Sequence, residues 1–99
     1  MIKKYYHATT ADKLASITFE GIKPMIDFVY LCETAIDCIK FLQVRMIPLE
    51  DIRILEVEID DSWVEESFDH SYEFFKCKAY LTQHTIEPDK ITAIYTVKQ

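Results

Sequence analysis

The residues able to do chemistry are few and scattered. The chain has three histidines (His7, His70, His84) and three cysteines (Cys32, Cys38, Cys77). One polar run, Ser67-Phe68-Asp69-His70-Ser71, gathers hydroxyls, a carboxylate and an imidazole. Asp69 beside His70 orients the imidazole only if the backbone turns there, because strand neighbours point apart. No Gly-x-Ser-x-Gly elbow can present a serine, since Gly21 is the only glycine. The run reads as a loop of Asx and Ser turns. Its aromatic flanks keep Asp69 and His70 as residues lining a pocket. The Cys-x5-Cys spacing of Cys32 and Cys38, with no Cys-x-x-Cys, is poor for zinc. Buried thiols are the plainer reading. His7 ends a strand-like segment just before two threonines, a common place for a polar ring to meet a ligand. The plain alternative is a half-exposed ring bonded to a local carbonyl. Tyr30 stands inside the apolar run Phe28–Cys32, either as a sheet-face tyrosine with a satisfied hydroxyl or as a ring that stacks on a ligand.

The rest of the composition narrows the chemistry. Seventeen acidic against eleven basic residues give a net charge of −6 over 99 residues, which repels a phosphate backbone and argues against general nucleic-acid binding. A single glycine excludes the Rossmann and P-loop fingerprints. No apolar run approaches the roughly 18 residues of a membrane span. The start has no apolar leader, and an odd cysteine count suits a reducing compartment, so a cytosolic protein is expected. The length suits one domain, residues 1–99.

The elements that must position these residues follow from periodicity. Ile2 to Ala8 reads as a strand. Thr10 is a plausible N-cap for a helix with Ala11, Leu14, Ala15, Ile17 and Thr18 at helical spacing. Gly21 closes that helix in a left-handed conformation and Pro24 keeps it closed. Phe28 to Cys32 reads as a strand. Thr34 caps a second helix with Asp37 at N3, and Ala35, Ile36, Ile39, Leu42 and Met46 make its buried stripe before Pro48. Ile52 to Ile59 alternates as a half-buried strand. Asp60 to Glu66 reads as a turn or one helical turn, with Trp63 packed beneath it. Ser67 to Lys76 fits neither period; its Phe74 and Phe75 read as core. Cys77 to Gln83 and Ile91 to Val97 read as strands. The order specifies an α+β fold with a small mixed or antiparallel split sheet and two helices in the N-terminal half.

Several of these segments, in this order, resemble the ADP-ribosyltransferase fold, nearest its small bacterial branch with the RNA 2′-phosphotransferases and ADP-ribosylating toxins. Tyr6-His7-Ala8-Thr9 is similar to the first-strand signature. Leu14 through Pro24 is similar to the helix and turn that follow it, and Val29-Tyr30-Leu31 to the second-strand motif. Ala79-Tyr80-Leu81-Thr82 and Ile86-Glu87-Pro88 are similar to a late pair of phosphotransferase motifs. The resemblance implies a His-Tyr-acid site that uses NAD. His7 would bond the nicotinamide ribose, Tyr30 would stack on the nicotinamide, and Thr9 would join them in contacting NAD. The family's acidic position falls near Lys76 or Cys77, so Glu73 and then Asp69 are the nearest carboxylates. Phosphotransfer would need several arginines, and the chain has two, Arg45 and Arg53.

The favoured expectation is NAD-dependent ADP-ribosyl transfer to a macromolecular acceptor, with His7, Tyr30, Glu73, Asp69 and His70 as the site and no metal. His7 and Tyr30 should come from adjacent strands and open into one cleft. The rival is a catalytically silent module of the same fold that binds or inhibits a protein partner. It would use the acidic run Glu50, Asp51, Glu56, Glu58, Asp60, Asp61, Glu65 and Glu66 as one solvated face.

Overall fold

A computed structural model describes residues 1–24, 28–43, 45–67 and 79–97. In chain order the elements are β1 (Ile2–Thr10), a 3₁₀ turn (Ala11–Lys13) running into α1 (Leu14–Glu20), β2 (Val29–Leu31) and α2 (Ala35–Gln43). Then come β3 (Ile52–Asp60), β4 (Glu65–Ser67), β5 (Ala79–Thr82) and β6 (Ile91–Thr96). They form two antiparallel three-stranded sheets, β1-β3-β6 and β2-β5-β4. The fold is therefore α+β with a split antiparallel sheet and both helices in the N-terminal half. No helix among the described residues is long and apolar enough to cross a membrane.

β3 is the centre of the molecule, and it is covered on both faces. Leu55, Val57 and Ile59 pack with Tyr5, Ile17, Ile22, Val29, Leu31 and Ile86. Ile52 and Ile54 point the other way, to Cys32, Cys38 and Leu42. A half-buried strand was expected; the second sheet and α2 take one face each, so the neighbours Ile54 and Leu55, which point to opposite faces, are both buried. Each fully buried Leu, Ile or Val there contributes about 1.5–3 kcal/mol relative to exposure.

α2 is capped as its sequence predicts. The Asp37 N–H donates to Thr34 Oγ1 at 3.2 Å, and Asp37 lies near the positive helix end. Its buried stripe differs from the expectation. At about 100° per residue, Ala35, Cys38, Ile39 and Leu42 share an arc of about 100°, and Ile36 lies about 60° outside it. Ile36 is 73% exposed and Met46 89% exposed. Met46 instead ends the helix. Its N–H bonds the Gln43 carbonyl, the Ile47 N–H bonds the Leu42 carbonyl, and Met46 takes φ 61°. This is a Schellman motif with methionine where glycine is usual, and Ile47 and Leu42 supply its hydrophobic contact. Met46→Gly should relieve the Cβ penalty of that conformation and stabilise the protein by about 1 kcal/mol in urea unfolding. No gain would mean that the turn is not left-handed.

Three further differences have local causes. Thr10 occupies the N-cap position with extended backbone, but its side chain makes no cap bond. Gly21 has positive φ (82°) but ψ −173°, so it is extended and not left-handed helical. It turns the chain so that Ile22 pairs with Ile86 through bonds of 2.8 and 2.9 Å. After β3 the helical turn stops at Trp63, where Asp60 accepts the Ser62 N–H at 2.9 Å. Glu65 and Glu66 belong to β4, which pairs with Leu81 and Tyr80. Trp63 is not packed beneath that turn. It is 37% exposed and stacks on His84, with ring centroids 4.6 Å apart.

Candidate functional site

The two sheets meet where β1 passes the end of β2. The Tyr6 N–H donates to the Cys32 carbonyl at 2.8 Å, and the Cys32 N–H returns the bond at 2.9 Å. This junction brings His7 to Tyr30. The His7 Nδ1 lies 2.8 Å from the Tyr30 carbonyl oxygen. A carbonyl only accepts, so Nδ1 carries the proton and donates. In the neutral ring Nε2 is then an acceptor with its lone pair available. Burial holds the His7 pKa below its ordinary value of 6.5; the carbonyl bond raises it and nearby Lys13 lowers it further. The ring is neutral at pH 7.

A linkage sign follows. The unfolded imidazole takes a proton near pH 6.5, and the folded one resists it. His7 thus contributes stability above about pH 6.5 that is lost as pH falls toward its lowered value. Long-range proton–nitrogen NMR should show the Nδ1–H tautomer at neutral pH and a midpoint below 6.5. An Nε2–H tautomer would mean that the carbonyl bond is not made.

Tyr30 turns away from Val29 and Leu31, which are 2% and 0% exposed, and is itself 44% exposed. Thr9 shares the His7 side of β1 and is 6% exposed. Asp69, His70 and Glu73 lie outside the described residues, as do Cys77, Phe74 and Phe75. Cys32 and Cys38 are buried thiols, 0% and 1% exposed. No group of three possible metal ligands forms among the described residues.

A second cluster beside the junction was not anticipated. The Tyr80 hydroxyl donates to Glu33 Oε1. The Tyr5 and Tyr80 rings meet edge to face at 5.7 Å, and Lys3 Nζ lies 5.5 Å and 6.0 Å from the two ring centroids. Burial and the Glu33 bond push the Tyr80 phenol far up, so it remains a donor. The only sequence hint was position: Glu33 follows the strand that carries Tyr30.

The acidic run does not form one face. Glu56 is 8% exposed and faces inward on β3. The Thr92 hydroxyl donates to it at 2.6 Å and the Tyr6 hydroxyl at 3.2 Å, with Lys4 Nζ at 3.8 Å. These groups hold its pKa below the usual value, Thr92 first. Alternation along the strand removes Glu56 from the solvent side that Glu50, Asp51 and Asp61 occupy. Asp60 and Asp61 also pair with the Met1 ammonium, each at 3.2 Å. No protein-family model matches the chain, and no curated protein sequence matches it significantly.

Proposed function

We propose that this domain transfers the ADP-ribosyl group of NAD to a macromolecular acceptor, as its resemblance to the ADP-ribosyltransferases implies. The observation that carries the reading is the bond from His7 Nδ1 to the Tyr30 carbonyl. It ties the first-strand histidine to the second-strand tyrosine and fixes the imidazole tautomer. It leaves Nε2 as an acceptor suited to a ribose hydroxyl. The Tyr30 ring, 44% exposed, has a face to offer a planar ring. When bound, NAD would supply a ribosyl carbon from which nicotinamide departs with the bonding electrons. The chain's part is to hold the sugar, stack the ring, and oppose the positive charge that develops. Glu73 and Asp69 are the sequence candidates for that last role.

Calorimetric titration with NAD tests the reading. Wild type should bind at or below millimolar concentration. His7→Ala should weaken binding about three- to tenfold, the worth of one hydrogen bond. Affinity should stay level down to about pH 6.5 and fall only below it, because His7 keeps its neutral form past the ordinary imidazole midpoint. No heat at millimolar NAD would leave the non-catalytic module as the function.

A further inference from the structure

The sheet β2-β5-β4 has one buried face and one open face. Val29 and Leu31 point into the core, and Tyr30 points out. Leu81 stands opposite Tyr30 on β2 and opposite Glu65 on β4. The three therefore share the open face, with Glu65 about 10 Å from Tyr30 across two strand spacings. Beyond Leu81 a cavity of about 130 Å³ opens where β4 begins and β5 ends, and Ser62, Trp63, Glu65, Gln83 and His84 line it with Leu81. Local turns set both of its walls. Asp60 accepts the Ser62 N–H at 2.9 Å in the turn that carries Trp63. The hydroxyl of buried Thr82 accepts the His84 N–H at 3.2 Å in the turn that carries the imidazole. The Trp63 and His84 rings stack with their planes 27° apart, and Trp63 keeps 37% of its surface open.

This lining selects a flat cation. Glu65 is exposed, and no lysine, arginine or N-terminus pairs with it among the described residues. No lysine or arginine lines the cavity, and the chain's charge of −6 favours a positive ligand further. An anion is repelled, and an apolar group would cover the carboxylate without pairing it. An indole face attracts a cation. The volume is below the roughly 300–1,000 Å³ of a site that encloses a small molecule, so the cavity admits the end of one side chain. A guanidinium suits it better than an ammonium. It is planar and lies along an aromatic ring, and its fork of N–H donors meets a carboxylate with two bonds. The Ser62 and Gln83 side-chain oxygens are acceptors for the N–H groups left over. We propose that the cavity between β4 and β5 binds the guanidinium of an arginine on a partner protein, with Glu65 as its counter-ion and Trp63 as its stacking surface. The inference does not depend on the ADP-ribosyl transfer proposed above. The site anchors a basic segment of the partner on the Tyr30 face whether or not NAD is turned over.

Trp63 is the only tryptophan in the chain, so its fluorescence reports on the cavity directly. The test titrates N-acetylarginine amide into wild type, Glu65→Gln and Asp12→Asn, and repeats the wild-type titration with the amides of N-acetylcitrulline and N-acetyllysine. Citrulline keeps the shape of arginine without its charge, and lysine keeps the charge without the plane. Arginine should change the Trp63 emission saturably, with a dissociation constant on the order of 1–10 mM for one ion pair and one stacked ring. Citrulline and lysine should each bind at least about fivefold more weakly. Glu65→Gln should weaken arginine about tenfold, the worth of one charge-assisted pair at a partly exposed site, with the melting temperature unchanged. Asp12→Asn removes the same charge from an exposed position on the 3₁₀ turn before α1, and should bind arginine within about twofold of wild type. The proposal is overturned if arginine gives no saturable change, or if citrulline or lysine binds as tightly. It is overturned equally if Glu65→Gln binds arginine like wild type, or if Asp12→Asn weakens binding as much as Glu65→Gln does, since the attraction then belongs to the net charge and not to the cavity.

Discussion

Gly21→Ala should cost about 3–5 kcal/mol and lower the melting temperature by roughly 15–30 °C. Two effects add. A Cβ at this position would stand 2.2 Å from the Ile86 carbonyl oxygen and 3.1 Å from the Glu87 Cα. Those are backbone atoms and cannot swing aside like a side-chain tip. The backbone at φ 82° and ψ −173° also lies in a region that is essentially glycine's alone, worth about 1–3 kcal/mol of strain for alanine. Relief would require breaking the paired bonds between Ile22 and Ile86, both of which are buried. Thermal melting by circular dichroism measures the effect. A shift of only a few degrees would mean that the chain does not pass this close to Ile86.

What the sequence discloses here follows the range of the interactions. The Thr34 cap and its Asp37 partner are three residues apart, and their geometry is local. Cys32 and Cys38, in apolar periodic segments, were legible as buried thiols. Gly21 followed by Pro24 marked a helix end, yet its ψ is set by Ile86, far along the chain. Ile36 belonged to a plausible stripe, and only the direction of α2 against β3 excludes it. Glu56 is the clearest case. A glutamate between Leu55 and Val57 reads as solvent-facing until Thr92 and Tyr6 arrive from two other strands to hold it inside. The site behaves in the same way. His7 and Tyr30 are legible as residue types at strand positions, but the bond that joins them spans 23 residues and ends on a backbone carbonyl, which has no sequence signature. The Tyr80–Glu33 contact spans 47. The polar run around Asp69 and His70 signalled chemistry by composition alone, and composition does not assign partners.

The second large effect separates the framework of the site from its working surface. Leu31 and Tyr30 are neighbours on β2, a strand of only three residues. Leu31 is 0% exposed and lies in the cluster with Tyr5, Leu55 and Val57. Leu31→Ala removes its packing and leaves a cavity between the two sheets, where β1 and β5 limit collapse. Unfolding in urea should show a loss of about 3–4 kcal/mol, within the range for buried leucines. Tyr30→Ala should cost only about 1 kcal/mol, because the ring is 44% exposed. The carbonyl that orients His7 belongs to the backbone, so it survives Tyr30→Ala and the His7 tautomer should be unchanged by NMR. In Leu31→Ala, by contrast, the strand carrying that carbonyl loses its anchor, and the tautomer preference should weaken even in molecules that remain folded. NAD affinity, if the ring stacks on nicotinamide, should fall in Tyr30→Ala at nearly full stability, whereas Leu31→Ala should lose affinity in step with the folded fraction and the His7 bond. Equal stability losses in the two variants would mean that Tyr30 is a core residue, and its role as a stacking face would then be untenable.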